Sequence, residues 1–342
     1  MMDGHVIIIA EAGVNHNGSF EIAQRLVDAA CDAGADFVKF QTFKAEKLVT
    51  QKAKKAAYQQ KNMQDGDSTQ FDMLRKLELS EDDHFRLKNY ANSRGIEFFS
   101  TAFDEEGLDF LDSLGITIFK IPSGEITNLP YLKKIASKKR TTLLSTGMAT
   151  LGEIESALNV LLENGLTRNQ ITVLHCNTEY PTSMSDVNLK AMNTIAQAFK
   201  VNVGYSDHTL GIEVPIAAVA LGATCIEKHF TLSRSMDGPD HKASLEPGEL
   251  SAMVKAVRNI ERAISGSGLK EPSPSEIKNK EIARKSIHLK KDLPKGHILT
   301  VADLIMKRPG NGISPMNIAM VLGKKLTQDL PSDTMLEFKD LS

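Results

Sequence analysis

Two histidines, His208 in the run SDHT (206–209) and His229 in EKHF (227–230), each stand at the end of a short apolar stretch. Imidazoles on neighbouring strands can ligate a divalent ion and leave positions open for water or substrate oxygens. An ion held by two protein ligands would be exchangeable Mn2+ or Mg2+, although imidazole also suits zinc. The structural alternative makes His208 a helix cap and His229 a satisfied core histidine. Two lysines end apolar runs as well, Lys39 in FVKFQT (37–42) and Lys120 in IFKIPSGE (118–125). A lysine there is costly unless a carboxylate or an anion meets it. One reading pairs the two with Glu11 or Glu125. The other makes a phosphate and carboxylate site, with Ser123, Gly124, Ser145, Thr146 and Gly147 offering hydroxyls and N–H groups at helix starts. One lysine could instead form a Schiff base, the chemistry of an aldolase. Glu125 and Asp240 could handle protons, and Arg308, in the turn-rich run KRPGNG (307–312), offers a planar fork to carboxylate or amide oxygens.

The elements that must position these residues repeat one rhythm. Short β-branched runs at 6–13, 37–42, 97–103, 117–123, 141–147, 171–176, 201–207 and 224–230 alternate with helix-like patterns such as 20–33, 81–94, 151–163 and 215–221. Eight nearly continuous apolar strands, each followed by a helix, predict a closed (β/α)8 barrel of the TIM type. A doubly wound open sheet competes, but it needs a glycine-rich phosphate turn after the first strand. The first strand here runs into EAGVNHNG (11–18) instead. In a barrel the strand ends converge on one rim, which turns scattered polar residues into one candidate site. That set includes Glu11, Lys39, Gln41, Thr101, Lys120, Ser123, Ser145, Asn177, Tyr180, Asp207, His208, Glu227 and His229.

The stretch 266–281 is rich in Gly, Pro, Ser and Lys without apolar periodicity and reads as a linker between a barrel domain, 1–265, and a small β-rich domain, 282–342. The small domain holds ten Lys/Arg and six Asp/Glu, a net +4 against −2 for all 342 residues. A module of that size buries little alone, and its charge suits an acidic or anion-binding surface. The near-neutral whole argues against nucleic-acid binding. Cys31, Cys176 and Cys225 are odd in number and set among apolar neighbours, which fits a reducing cytoplasm, and the apolar run 6–10 is neither a signal peptide nor a membrane span.

The chain resembles the sialic acid synthase family, whose members join a phosphoenolpyruvate-binding barrel to an antifreeze-like (SAF) domain. Ten ordered motifs carry the resemblance: EAGVNHNG (11–18), VKFQT (38–42), FSTAF (99–103), KIPSGE (120–125), STGM (145–148), HCNTEYP (175–181), GYSDHT (204–209), EKHF (227–230), GPDH (238–241) and KRPGNG (307–312). It implies a cytoplasmic synthase that joins phosphoenolpyruvate to an N-acetylated amino sugar and releases phosphate. N-acetylmannosamine is the first expectation for the acceptor and 2,4-diacetamido-2,4,6-trideoxymannose the alternative; the run AYQ (57–59) and the loop 61–70 resemble both kinds of synthase.

By the same resemblance His208 and His229 hold the metal, Mn2+ before Mg2+ or Co2+. Lys39, Gln41, Thr101, Lys120, Ser123 and Ser145 hold phosphoenolpyruvate, with Asn177 beside them. Glu11 and Glu125 sit where the family places acid–base carboxylates. Tyr180 and Asp240 face the sugar, and Arg308 reaches the acetamido group of a partner subunit's barrel in a domain-swapped homodimer. Two departures stand out: Ala102, where many members have proline, and Thr178, where some have asparagine. A pyruvate aldolase using Lys120 and a non-enzymatic carbohydrate- or ice-binding protein are the competing readings.

Overall fold

The structure, a computed structural model, describes residues 5–63 and 69–342. Eight parallel strands form the centre: β1 (Ile7–Gly13), β2 (Phe37–Thr42), β3 (Glu97–Ala102), β4 (Ile118–Ile121), β5 (Thr141–Ser145), β6 (Ile171–Cys176), β7 (Asn202–Asp207) and β8 (Cys225–His229). Their hydrogen-bonded order is β3-β2-β1-β8-β7-β6-β5-β4, and β3 lies against β4 to bring the ring to near closure. The barrel expectation therefore holds, and the open sheet does not.

The strands are apolar on both faces because they are covered inside by each other and outside by helices. These are α1 (Phe20–Ala33), α2 (Ala45–Leu48), α3 (Ala57–Asn62), α4 (Gln70–Lys76), α5 (Glu81–Arg94), α6 (Glu105–Ser113), α7 (Leu129–Ser137), α8 (Leu151–Glu163), α9 (Lys190–Phe199), α10 (Glu213–Ala220) and α11 (Pro247–Ile264). Helix α1 shows the local logic. The Ser19 hydroxyl accepts from the Ile22 N–H at its start, and Gly34 at φ 81° ends it. Its face of Ala23, Leu26, Val27 and Ala30 is fully buried against the barrel core.

Helices α2 to α4 break the simple β/α rhythm. They form an insertion between β2 and α5, packed on an apolar cluster of their own made of Val14, Phe43, Ala45, Met73, Leu74 and Leu77. Part of the loop expected to bear on the acceptor, residues 64–68, lies outside the described residues.

The chain divides into two compact units, Met1–Ser265 and Gly266–Ser342. The second begins with a difference from expectation: α12 (Pro274–Ala283) occupies part of the stretch read as a linker. The Glu276 carboxylate accepts from the Ser273 N–H and hydroxyl, so the helix has a start signal but no buried side chain, which is why it shows no apolar period. An antiparallel pair follows, β9 (Ser286–Leu289) and β10 (Leu304–Lys307), around a small core of Ile287, Leu289, Leu299, Ile313, Val321 and Leu336. Among the described residues no helix is long and apolar enough to cross a membrane.

Candidate active site

Strand alternation selects the site. In β8, Glu227 and His229 share the inward face while Lys228 points outward to pair with Asp207; in β2, Lys39 and Gln41 point inward and Phe40 outward. Registers Glu11↔Lys39, Glu11↔His229 and Ser206↔Glu227 then bring these side chains together in successive inward layers of the barrel. They line a cavity of about 600 Å³ at the C-terminal ends of the strands, with Thr101, Lys120, Ser123, Glu125, Ser145, Tyr180, His208 and Asp240.

At the floor lies a buried quartet of charges. Lys120 Nζ donates to both oxygens of Glu227, at 2.7 and 2.9 Å. Lys39 Nζ lies 2.8 Å from Glu11, 3.6 Å from Glu227, and donates to Thr101 Oγ1 at 3.1 Å. The Ser206 hydroxyl adds a donor to Glu227 at 2.9 Å. Burial alone would push Glu227 up, but Lys120 and Lys39 outweigh it and hold its carboxyl well below the usual range. Glu11 is pushed up by burial, which Lys39 only partly offsets. Burial would likewise depress Lys39, and Glu11 and Glu227 overcome it to raise its ammonium above the ordinary value. The pairing read from sequence is thus half right: Lys39 meets Glu11, but Lys120 meets Glu227 and not Glu125. Glu125 instead accepts from Asn128 at 2.6 Å on the rim.

In the sequence Glu227 is one polar strand end among several. Its position two before His229 placed it on the same inward face, a signal that was available.

Several expected anion donors are already engaged. The Gly147 N–H donates to Ser123 Oγ at 2.9 Å, and the Thr146 hydroxyl donates to the Leu174 carbonyl. These two groups hold the loop, leaving Ser123 and Ser145 as the hydroxyls that face the cavity. Asn177 departs further: its Oδ1 accepts from the Glu179 N–H and the Thr182 hydroxyl, so it shapes the turn, and Thr178 lines the cavity in its place. Gln41 donates to Glu11 at 3.3 Å. At Gly13 (φ 53°) a Cβ would sit 3.3 to 3.4 Å from Gln41, Glu11 and His229, so glycine keeps this corner open.

The two histidines are adjacent, ring centroids 5.4 Å apart. The His208 Nδ1–H donates to the Asn177 carbonyl, which leaves Nε2 beside Ser206 at 3.5 Å, and Ile212, not His208, stands at the N-cap of α10. Burial pushes His208 down to about 4, and burial with its cationic neighbours keeps His229 well below the ordinary value, so both are neutral at pH 7. His229 Nδ1 is buried without a hydrogen-bond partner. Neutral imidazoles with an uncommitted ring nitrogen suit a divalent ion, one held by two nitrogens with oxygens completing its shell. Among the described residues no group of three or more His, Cys, Asp or Glu side chains that could hold a metal ion exists. Tyr180 stacks on His208 at 4.0 Å, and Asp240 lines the same cavity, its carboxyl pushed up to about 7 by burial with Glu11 adding to it. In the second unit, exposed Arg308 donates from Nε to the Ala283 carbonyl at 3.0 Å.

Residues 26–270 match the NeuB family. This chain belongs to that family. The match spans the motifs on strands β2 to β8, and a SAF domain matches residues 284–342. The N,N'-diacetyllegionaminic acid synthase of Campylobacter jejuni serotype O:2 is 55% identical over 330 residues, 96% of this chain and 98% of that protein. That of Legionella pneumophila is 51% identical, covering 96% of this chain and 92% of its own length. The crystal structure of the N-acetylneuraminic acid synthetase from Leptospira borgpetersenii, a citrate complex, superposes with a TM-score of 0.70 at 34% identity, over 80% of this chain and 90% of that one. NeuB membership makes the chain a sialic-acid-synthase-type enzyme, a transferase, and sets aside the non-enzymatic reading.

Proposed function

We propose that this chain condenses phosphoenolpyruvate with 2,4-diacetamido-2,4,6-trideoxymannose to make N,N'-diacetyllegionaminic acid. The observation that carries the reaction is one cavity holding an anion-binding lysine pair, two neutral histidines and a carboxyl poised near 7. The acceptor differs from our first expectation, N-acetylmannosamine. Identities of 55% and 51% to two diacetyllegionaminic acid synthases, against 34% to an N-acetylneuraminic acid synthetase, favour the diacetylated sugar. The wall supplied by the insertion agrees: Leu48, Val49, Met73, Leu74 and Leu77 line that side. It suits a methyl at carbon six and an acetamido methyl better than hydroxyls, which would lose water there.

In this reading Lys39 and Lys120, with Ser123, Ser145, Thr101 and Gln41, bind the phosphate and carboxylate and balance their charge in a partly dehydrated site. Carbon three of phosphoenolpyruvate forms the new bond to the acceptor's carbonyl carbon. Asp240, protonated up to about pH 7, gives its proton to the carbonyl oxygen. Water adds to the cationic carbon two and passes a proton to Glu11, whose carboxyl burial raises, while Glu227 stays ionised between the lysines. The new carbon-two hydroxyl then gives its proton to the departing phosphate as the bond from that carbon to the phosphate oxygen breaks and the carbonyl forms. A divalent ion on His208 and His229, Mn2+ by preference, would supply Lewis-acid polarisation of the acceptor carbonyl. Glu125 stays a rim carboxylate able to order water. Arg308 is assigned to the acetamido group in a partner subunit's barrel, within a homodimer.

Phosphate release from phosphoenolpyruvate with the diacetamido sugar, N-acetylmannosamine and N-acetylmannosamine 6-phosphate tests the assignment. We expect kcat/KM for the first to exceed the others by about tenfold or more, the worth of a methyl-sized pocket difference or better. A preference for N-acetylmannosamine would return the acceptor to the first expectation. Turnover of pyruvate in chelator, trapped by borohydride on Lys120, would instead establish the aldolase.

A further inference from the structure

Helix α3 belongs to the insertion and not to the barrel, yet its side chains reach both halves of the acceptor region. Tyr58 stacks on Tyr180 at 5.0 Å and 30°, and Tyr180 stacks in turn on His208 at 4.0 Å and 28°. Tyr180 also meets His229 edge-on at 5.5 Å. The three-ring pile Tyr58, Tyr180, His208 thus fixes the plane of one imidazole from one side, while the Asn177 carbonyl fixes it at Nδ1. One turn on, Asn62 Nδ2 donates to the Pro239 carbonyl at 2.7 Å, a buried bond to the residue just before Asp240. Lys242 donates back to the Asn62 carbonyl at 3.2 Å.

Residues four apart in a helix share a face, so Tyr58 and Asn62 form one surface with two attachments. The loop bearing Asp240 is tied elsewhere by Asn17, which donates to the Asp237 carbonyl at 2.8 Å and meets His241 Nε2 at 3.2 Å. It is also tied by Ser244, whose hydroxyl donates to the Asp240 carbonyl at 2.8 Å. The bond from the Asn62 side chain is a tie that comes from the insertion.

We infer that α3 is a positioning element for the acceptor half of the site, Tyr58 acting on the Tyr180–His208 pair and Asn62 on the loop of Asp240. The inference rests on reading His208, His229 and Asp240 as that half. It follows that the phosphoenolpyruvate half, whose lysines are fixed within the barrel, is indifferent to α3. Tyr58 lines the cavity edge while Asn62 does not, and the two act through different partners.

The test is a comparison of Tyr58→Ala, Tyr58→Phe and Asn62→Ala in the full chain. It uses Mn2+ binding followed by electron paramagnetic resonance in the absence of substrates, and KM for each substrate from phosphate release. Loss of a group that orients a metal ligand costs about 10- to 100-fold, so Tyr58→Ala should weaken Mn2+ by at least about tenfold and raise the acceptor KM. Tyr58→Phe keeps the ring and should restore both. Asn62→Ala should raise the acceptor KM with Mn2+ affinity unchanged, and all three should leave the phosphoenolpyruvate KM within about twofold. Identical effects of Tyr58→Ala and Asn62→Ala on every quantity would mean that α3 merely collapses, and would overturn the inference. So would wild-type Mn2+ affinity in Tyr58→Ala. A wild-type chain that binds no Mn2+ would overturn the reading beneath it, and the Tyr58 limb with it.

Discussion

Asp240 is a carboxyl whose proton the fold retains. Its ordinary value is 3.8 and burial raises it to about 7, so between those values the folded chain holds a proton that the unfolded chain releases. Stability therefore falls as pH rises through that window, by up to about 1.4 kcal/mol per unit, and the effect levels off above it. Asp240→Asn should abolish that part of the decline, checked by urea unfolding of the two proteins between pH 4 and pH 8. A parallel pH dependence in both would refute the protonated carboxyl. Glu227 is the opposite case, a carboxylate that two lysines require. Glu227→Gln leaves Lys120 buried without its ion pair and should cost about 3–5 kcal/mol of stability, read as a lowered denaturant midpoint, with activity lost. The sequence made the two lysines conspicuous because a charge inside an apolar run is rare. It hid Glu227, whose neighbour His229 drew the chemical reading, and it could not tell which carboxylate meets Lys120, since that depends on register across the barrel.

At the scale of elements, the eight strands were legible because burial on both faces leaves long β-branched runs with few alternatives. Their positions agree with the observed strands to within a few residues. The insertion α2 to α4 was not legible: its helices are short, mixed in polarity, and owe their packing to a satellite cluster that includes Val14 and Phe43 from the barrel. Helix α12 was missed for the lack of any buried face, although Ser273 and Glu276 marked its start. The loops show the same limit from another side. The sequence offers Gly147 as an N–H donor for an anion, whereas it orients Ser123 and has no room for a side chain: a Cβ would come within 2.8 Å of Ser123 Oγ and 2.5 Å of Thr178 Cγ2. Gly147→Ala should displace Ser123 and raise the KM for phosphoenolpyruvate by about tenfold or more while the acceptor KM moves little. Equal changes in both would assign the loop a general structural role.

At the scale of the whole molecule, a NeuB barrel and a SAF domain share one chain, and the one residue of the SAF domain proposed to serve the reaction is Arg308. Arg308→Ala should lower kcat/KM for the acceptor by about 10- to 100-fold with the melting temperature unchanged, because the side chain is exposed. Unchanged kinetics would remove Arg308 from the site. Activity should vanish in chelator and return with Mn2+, as expected for an ion held by two imidazoles.

The central claim, condensation through attack of phosphoenolpyruvate carbon and capture of carbon two by water, is tested most directly by labelling. Phosphoenolpyruvate carrying 18O in the oxygen that bridges carbon two and phosphorus is turned over with the diacetamido acceptor, and phosphate and sugar acid are weighed by mass spectrometry. Cleavage at the carbon side leaves the label in the released phosphate, one phosphate per sugar acid formed. Label retained in the organic product, or phosphate released without an acceptor, would contradict the mechanism.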